Sequence, residues 1–277
     1  MARILLFFGA VVLSFNCFAL KKVGPLRMEL VLEQDGIVAG AEFWVGWRII
    51  RENGWHTYWK HPGDVGVPPS IEWNLPQGFI AGEMLYALPE KVKMANIRAN
   101  GNYGETIFLV KMKAPKNLKL GDIVDLKAKA SWLTCSQQCL PGFTDLSVGV
   151  EVVDSAEIVP VWNHRFEQFK QNIPENLGSS WKISAKKDNN FVYVSFVLTE
   201  GMDTEKSRPV FFCSNRLVKS DGNQFLTRKK NSFTLRMDLS EWANKGEKYL
   251  SGLIYRKNGW GVASSYAKVH VPFSSSN

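Results

Sequence analysis

Two cysteines with three residues between them, Cys135 and Cys139, are the residues whose type and spacing most directly indicate chemistry. A disulfide holds its Cα atoms about 5.5 Å apart, whereas residues four apart on an extended strand lie about 13 Å apart. The chain must therefore turn between them, in a single helical turn or a tight hairpin. Closing so small a ring gains little stability, so the pair suits thiol exchange better than cross-linking. The alternative is an inert disulfide that pins a loop.

The other chemistry-bearing residues give weaker signals. Cys213 has no neighbouring cysteine, and we expect it to be buried and inert, with a bridge to another chain or a position near the first pair as alternatives. Two cysteines alone do not complete a zinc site. Cu(I) favours Cys and Met ligands, but Met84, Met94, His56 and His61 form no spaced cluster, so copper binding is a minor alternative. We expect no cofactor.

The overall composition excludes several classes of protein. The chain has 277 residues and 45% hydrophobic content, which is enough to bury ordinary cores and excludes disorder, collagen and a disulfide-dense miniprotein. The net charge is +8, but the longest basic run covers only residues 228–230, so we expect no nucleic-acid partner. A hydrolase is disfavoured because the chain has no nucleophile elbow, phosphate loop or His-Glu-x-x-His motif.

Residues 1–19 have the pattern of a secretory signal peptide. Arg3 precedes an apolar run over residues 4–15, and small side chains precede a predicted cleavage site after Ala19. A retained membrane anchor is the weaker alternative, because a spanning helix needs about 20 apolar residues. The bulky residues before Cys17 argue against a lipoprotein. We expect an exported protein that is not transmembrane after cleavage, in the periplasm if the cell is Gram-negative.

The rest of the chain alternates apolar and polar residues in short runs, which predicts antiparallel β-strands separated by Gly, Pro and Asn turns. The predicted strands cover residues 26–32, 41–49, 70–73, 106–111, 123–130 and 146–152, then 181–184, 191–197, 210–212, 233–237, 250–255 and 262–271. Residues 160–170 have helical spacing and precede Pro174. The predicted organisation is a β-sandwich over 20–155, a helical connector over 156–175 and a second β-sandwich over 176–277.

Three segments of the first domain stand out from this pattern: residues 53–64, with the run Gly-Trp-His-Thr-Tyr-Trp, residues 100–105, and residues 132–142, which hold the cysteine pair. Together they resemble the amino-terminal periplasmic domain of the DsbD and ScsB thiol:disulfide interchange proteins, with most similarity to the ScsB side. The resemblance covers residues 26–153 and, more loosely, the second domain. It implies an all-β fold of two immunoglobulin-like sandwiches joined by a short helix.

The resemblance also implies that the cysteine pair is the redox centre. Carried over by position, Cys139 attacks and is attacked, while Cys135 resolves the mixed disulfide. DsbD has five residues between its two cysteines and this chain has three, so the identity of the attacking sulfur follows less directly than that of the pair.

A shielding role is implied for the residues around the pair. Residues 102–104 fall at the DsbD cap loop, where Asn102 stands in place of a Phe and Tyr103 follows. Shielding is then expected from Trp55 or Tyr58, although both can instead pack in the sandwich.

The pKa of the reactive thiol must be set from outside the hairpin, because no Lys, Arg or His lies between the two cysteines. The candidates are His56, His61 and Tyr103. For Trp59 in the same loop, simple packing is the favoured interpretation.

Partners follow from the resemblance as well. DsbD relatives usually continue into a membrane-embedded and a thioredoxin-like domain, and the sequence contains neither. The implied function is protein-disulfide reductase type exchange, from a membrane-embedded thiol electron carrier to a periplasmic thioredoxin-like protein, in contexts such as cytochrome c biogenesis or copper tolerance. The alternative is a non-catalytic periplasmic binding or chaperone module with a structural disulfide. The two functions differ in how easily the disulfide is reduced.

Overall fold

The computed structural model describes residues 20–201, 203–204, 206–244 and 246–274. Within these ranges the chain forms two β-sandwiches with a helix between them, which confirms the predicted all-β fold of two immunoglobulin-like domains. The predicted signal peptide at residues 1–19 lies outside the described residues.

The first sandwich packs two sheets face to face. Its strands are Lys21–Val23 (β1), Leu26–Leu32 (β2), Gly36–Val38 (β3), Glu42–Arg51 (β4), His56–Tyr58 (β5), Ser70–Asn74 (β6), Ile80–Leu85 (β7), Glu90–Met94 (β8), Ile97–Asn102 (β9), Glu105–Lys113 (β10), Ile123–Cys135 (β11) and Cys139–Val153 (β12). One sheet has the order β1-β2-β4-β10-β7. The other has the order β3-β12-β11-β5-β9-β8, with β6 also paired to β11.

Alternation along the strands builds the core between these sheets. In β11, Leu126 and Ala128 are buried while Lys127 between them is exposed, as the two-residue period of a strand requires. From the facing sheet, Trp47 packs edge-to-face on Phe108 with ring centroids 5.6 Å apart. The long β11–β12 hairpin is thus held by the core along one face and carries the cysteine pair at its tip.

The connecting helix α1 spans Pro160–Gln171 and covers the outer face of the first sheet. Pro160 fits the first turn, where its missing N–H costs no hydrogen bond. Phe166 is fully buried against Val31 and Ile107. It reaches the sheet because Gly46 lies beneath it: an added Cβ there would come 3.0 Å from the Phe166 ring.

The second sandwich has two four-stranded sheets around an aromatic core that includes Phe196, Phe233 and Trp260. Its strands are Glu175–Asn176 (β13), Trp181–Lys187 (β14), Phe191–Leu198 (β15), Val210–Cys213 (β16), Gln224–Lys229 (β17), Ser232–Asp238 (β18), Tyr249–Tyr255 (β19) and Tyr266–Pro272 (β20). Cys213 is buried in this core, as predicted, and burial raises the pKa of its thiol.

A loop of the first domain is hydrogen-bonded to the second domain. The Asp64 carboxylate accepts hydrogen bonds from the Ser220 backbone N–H at 2.6 Å and from the hydroxyls of Ser220 and Ser240. Gly63 has φ +105°, and an added Cβ would come 2.2 Å from the Ser220 Cβ, so only glycine fits. The Lys91 ammonium also donates to the Ser220 carbonyl at 3.1 Å. The two sandwiches therefore share a polar interface.

Candidate functional site

The cysteine pair closes the tip of the β11–β12 hairpin. Cys135 is the last residue of β11, Cys139 is the first residue of β12, and the two lie opposite each other in the ladder. They are joined by a disulfide with their Cα atoms 4.1 Å apart. Of the two turns that the spacing allowed, the chain adopts the hairpin.

The two sulfurs have different surroundings. Cys135 has no exposed surface, while Cys139 is exposed. Disulfide exchange requires an incoming thiolate to reach one sulfur while the other leaves. Access therefore selects Cys139 as the sulfur that a partner can meet.

Tyr58 contacts the buried sulfur. Its hydroxyl lies 3.1 Å from the Cys135 Sγ, and its side chain is 2% exposed. The short strand β5 places it there, pairing with β11 on one side and β9 on the other. Burial raises the pKa of Tyr58, so the hydroxyl stays protonated and can donate a hydrogen bond to the Cys135 Sγ. Gly66, at φ +101°, lets the backbone lie against the ring, since an added Cβ would come 2.3 Å from it.

His56 lies beside Tyr58 as a neutral group. It is 1% exposed, and its ring makes edge contacts with Tyr58 and Tyr103 at 5.3 and 5.6 Å between centroids. Burial, and secondarily the charge of Arg51, lower the pKa of His56 to about 4. The imidazole is therefore neutral beside the disulfide, and the role of His56 in lowering the thiol pKa of the reduced pair stays a prediction. Among the described residues its Nδ1 has no hydrogen-bond partner.

The predicted cap residues, Asn102 and Tyr103, form hydrogen bonds to neighbouring backbone groups. Asn102 is buried at the end of β9, where its amide donates to the Leu88 carbonyl at 2.6 Å. The Tyr103 hydroxyl accepts a hydrogen bond from the Lys93 N–H at 2.8 Å. Asn102 and Tyr103 therefore lie beside β5, next to Thr57 and His56, and their shielding role stays a prediction.

Met94 contacts the exposed sulfur, and sequence reasoning did not select it for this role. Its Sδ lies 3.1 Å from the Cys139 Sγ. Met94 ends β8, at a tight turn in which Ala95 adopts φ +49° before β9 begins. The sequence carries no signal for this contact, because it joins residues 45 positions apart through the pairing of β8 and β9.

The remaining predicted residues flank β5. Trp55 is half-buried directly before this strand. Trp59 is buried, as packing predicts, with its ring against His61 and against Phe212 of the second domain. Burial lowers the pKa of His61. Within the described ranges, no group of three or more His, Cys, Asp or Glu residues is arranged to hold a metal ion.

Comparison with known proteins agrees with this geometry. Residues 28–150 match the sequence model of the N-terminal domain of the thiol:disulfide interchange protein DsbD. Over residues 28–150 the first domain is therefore similar to the DsbD N-terminal family. This match confirms the resemblance read from the aromatic loop and the cysteine run of that domain. No curated protein matches the sequence.

A solved structure extends the comparison beyond the DsbD N-terminal domain. The crystal structure of the N-terminal periplasmic domain of ScsB from Proteus mirabilis superposes with a TM-score of 0.67 at 17% sequence identity. The match covers 94% of this chain and 98% of that chain. At this identity the likeness shows a shared fold, and its coverage includes both sandwiches and the helix.

Proposed function

We propose that the protein is a thiol:disulfide interchange protein that relays reducing equivalents through Cys135 and Cys139. The observation that carries the proposal is the asymmetry of the pair: an exposed sulfur is bonded to a buried one beside a phenol donor. The match of residues 28–150 to the DsbD N-terminal family supports the same chemistry.

Reduction of the pair follows from this geometry. A thiolate of the donor attacks the Cys139 Sγ and forms a mixed disulfide, while the bond to Cys135 breaks and its sulfur leaves with the electron pair. The Tyr58 hydroxyl donates a hydrogen bond to the charge that develops on Cys135. The second thiol of the donor then attacks the mixed disulfide and releases Cys139. Two electrons and two protons reach the pair, and the donor becomes a disulfide.

Transfer onward reverses these roles. The Cys139 thiolate attacks the acceptor disulfide and forms a second mixed disulfide. Cys135 then attacks the Cys139 sulfur, which restores the bond between them and releases the acceptor as a dithiol. The donor is a membrane-embedded thiol electron carrier and the acceptor a periplasmic thioredoxin-like protein. The direction of flow rests on the family resemblance.

Location in the periplasm belongs to the same proposal. Independently of location, the described part of the chain contains no candidate transmembrane helix. The structurally similar ScsB fragment is described as a periplasmic domain. A compartment that permits disulfides is also required if the pair is to cycle between its two states.

Single-cysteine variants test the proposal directly. The reduced protein should reduce an oxidised thioredoxin used as probe, with release of the thioredoxin dithiol. Cys135→Ser should stall as a mixed disulfide through Cys139, because the resolving sulfur is missing, whereas Cys139→Ser should form none. Each variant is made with Cys213→Ala so that only one thiol remains. Equal trapping by both variants would contradict the assigned roles, and no electron transfer by the parent protein would contradict the function.

A binding module is the second candidate, and one feature of the structure favours it. A cleft of about 860 Å³ lies between α1, β7 and the second sandwich. Apolar side chains including Met84 and Phe169 line it, with Lys60 and Lys268 among its charged residues. A pair that resists reduction, together with ligand binding in this cleft, would favour this function over interchange.

A further inference from the structure

The long strand β12 has an unpaired edge that starts at the exposed cysteine. On one side β12 pairs with β11 along its whole length. On the other side, among the described residues, it pairs only with β3, through Glu151–Val153. Within the described ranges, the stretch from Cys139 to Gly149 is therefore a sheet edge without a strand partner, about 30 Å long at the usual rise per residue.

The phase of the ladder fixes which backbone groups point out from this edge. The 4.1 Å Cα separation of Cys135 and Cys139 marks a non-hydrogen-bonded pair, whose N–H and C=O groups point away from the partner strand. Because the register runs unbroken to Glu151, every second residue has the same orientation. The Asp145 carbonyl confirms this phase, since it accepts a hydrogen bond from the Lys21 ammonium outside the sheet at 3.0 Å. The outward residues that still carry an N–H are Cys139, Phe143, Asp145, Ser147 and Gly149.

Side chains on the same residues share the face of the reactive sulfur. Cys139, Pro141 and Phe143 are all exposed and alternate with less exposed neighbours. Phe143 is 73% exposed, although it is a large apolar ring on a well-packed strand. Pro141 lies at an outward position, where its missing N–H takes nothing from the β11 ladder. A partner at Cys139 thus meets an apolar strip and then a row of free amides.

We propose that this edge, from Pro141 to Gly149, is a docking surface that adds an extended segment of the thiol partner as a further strand. The proposal rests on the proposed function in one respect: the partner is the protein that exchanges with Cys139. Lys21 occupies the Asp145 carbonyl, but the remaining outward N–H and C=O groups alternate along the edge. Only another extended backbone satisfies such a row in register. The occupant is therefore a strand-forming segment next to the partner's reactive sulfur, with an apolar side chain facing Phe143.

Disulfide tethering tests this docking mode. The mature chain with Cys135→Ser and Cys213→Ala keeps one thiol, Cys139. The probe is a ten-residue peptide of one Cys followed by alternating Val and Thr, activated as its thionitrobenzoate disulfide. The Cys139 thiolate attacks the peptide sulfur and releases thionitrobenzoate, so capture can be followed by absorbance. The control peptide has the same side chains but N-methylated amides at alternate positions.

The expected result is capture about tenfold faster for the unmethylated peptide, because prior docking through one or two net backbone hydrogen bonds raises the population poised to react. Amide exchange measured by NMR should slow at Phe143, Ser147 and Gly149 in the tethered complex. Ser147→Pro removes one outward N–H and should reduce the preference, whereas Ser147→Ala keeps the N–H and should preserve it. Circular dichroism and thermal unfolding check that the Pro variant is folded.

Several results would overturn the docking proposal. These are equal capture of the two peptides, protection of other strands only, or protection of the edge in the free protein, which would show that the chain's own residues or a second copy cover it. Its failure is distinguishable from failure of the proposed function. Tethering needs only the Cys139 thiol, whereas interchange requires that the native disulfide be reducible.

Discussion

The Tyr58 hydroxyl is the group that most directly sets the chemistry of the buried sulfur, since it lies 3.1 Å from the Cys135 Sγ. Tyr58→Phe keeps the ring and removes this donor. When a thiol reduces the disulfide, charge develops on Cys135, and a hydrogen bond to a charged group contributes about 1.5 kcal/mol or more. We therefore expect dithiothreitol to reduce the Phe variant about tenfold more slowly than the parent protein.

A matched control for this prediction is Tyr103→Phe. The Tyr103 hydroxyl bonds to the backbone of Lys93 and contacts neither cysteine in the structure. Its loss should leave the rate of reduction near the parent value. If the two Phe variants were reduced at the same rate, the hydrogen bond to Cys135 would have no part in the exchange.

His56 makes stability depend on pH. Its pKa is about 4 in the folded protein and about 6.5 in an unfolded chain. Both states hold a neutral ring above pH 6.5, so no penalty arises there. As the pH falls toward 4, the His56 imidazole binds a proton in the unfolded chain but stays neutral in the folded protein. The free energy of unfolding therefore decreases.

Urea unfolding at steps between pH 7.5 and 4 measures this effect. The parent protein should lose more stability over this interval than His56→Phe, which has no group to protonate. His164→Gln, a change at an exposed position of α1, should behave like the parent. Parallel pH profiles for the parent protein and His56→Phe would show that His56 is not held neutral by its site.

At the scale of elements, the β8–β9 hairpin contacts the exposed sulfur through Met94. Met94→Ala removes the thioether from the Cys139 Sγ and should let glutathione reduce the disulfide several-fold faster. Met94→Leu keeps a side chain of similar size and should stay near the parent rate. Equal rates for all three proteins would mean that the hairpin does not shield the pair.

The strands that sequence patterns predict well are those with one buried face. In β11 and β18 the alternation of apolar and polar residues coincides with burial, and α1 lies where helical spacing predicts it. By contrast, β7 and β9 have mostly exposed or glycine-containing sequences, and neither was predicted. Strand β5 has three residues, too few for a periodic signal, although it positions Tyr58.

The candidate site likewise combines residues that local sequence patterns reveal with one that they do not. The sequence identifies the cysteine pair and, through its aromatic loop, Tyr58 and His56, because these lie on two local segments. It does not reveal Met94, which reaches Cys139 only after β8, β9, β5 and β11 have assembled side by side. It also favours a strand over residues 262–271, whereas β20 begins at Tyr266, after two glycines with positive φ at positions 259 and 261.

At the scale of the whole molecule, the loop that is hydrogen-bonded to the second sandwich is also a wall of the proposed redox site. Asp64 holds Ser220 and Ser240, while Gly66, two residues later, lies against the Tyr58 ring. The second domain thus stabilises the loop that fixes the phenol donor, which gives it a physical role in the site.

Asp64→Ala tests this coupling. The change leaves three donors of the second domain without their carboxylate and should cost about 2 kcal/mol or more. Calorimetry should show the unfolding transition lowered and broadened as the domains come apart, and small-angle scattering should show a larger radius of gyration. Asp125→Ala, at an exposed position on β11, is the control. Identical unfolding transitions for both variants would contradict the claim that Asp64 stabilises the contact between the domains.

The reduction potential of the Cys135–Cys139 pair tests the central claim most directly. It is measured on the mature protein with Cys213→Ala, by thiol alkylation across a glutathione redox series. Interchange predicts a midpoint in the range of exchange catalysts, roughly −120 to −270 mV. A midpoint well below about −300 mV would mark a structural disulfide and contradict a relay through this pair.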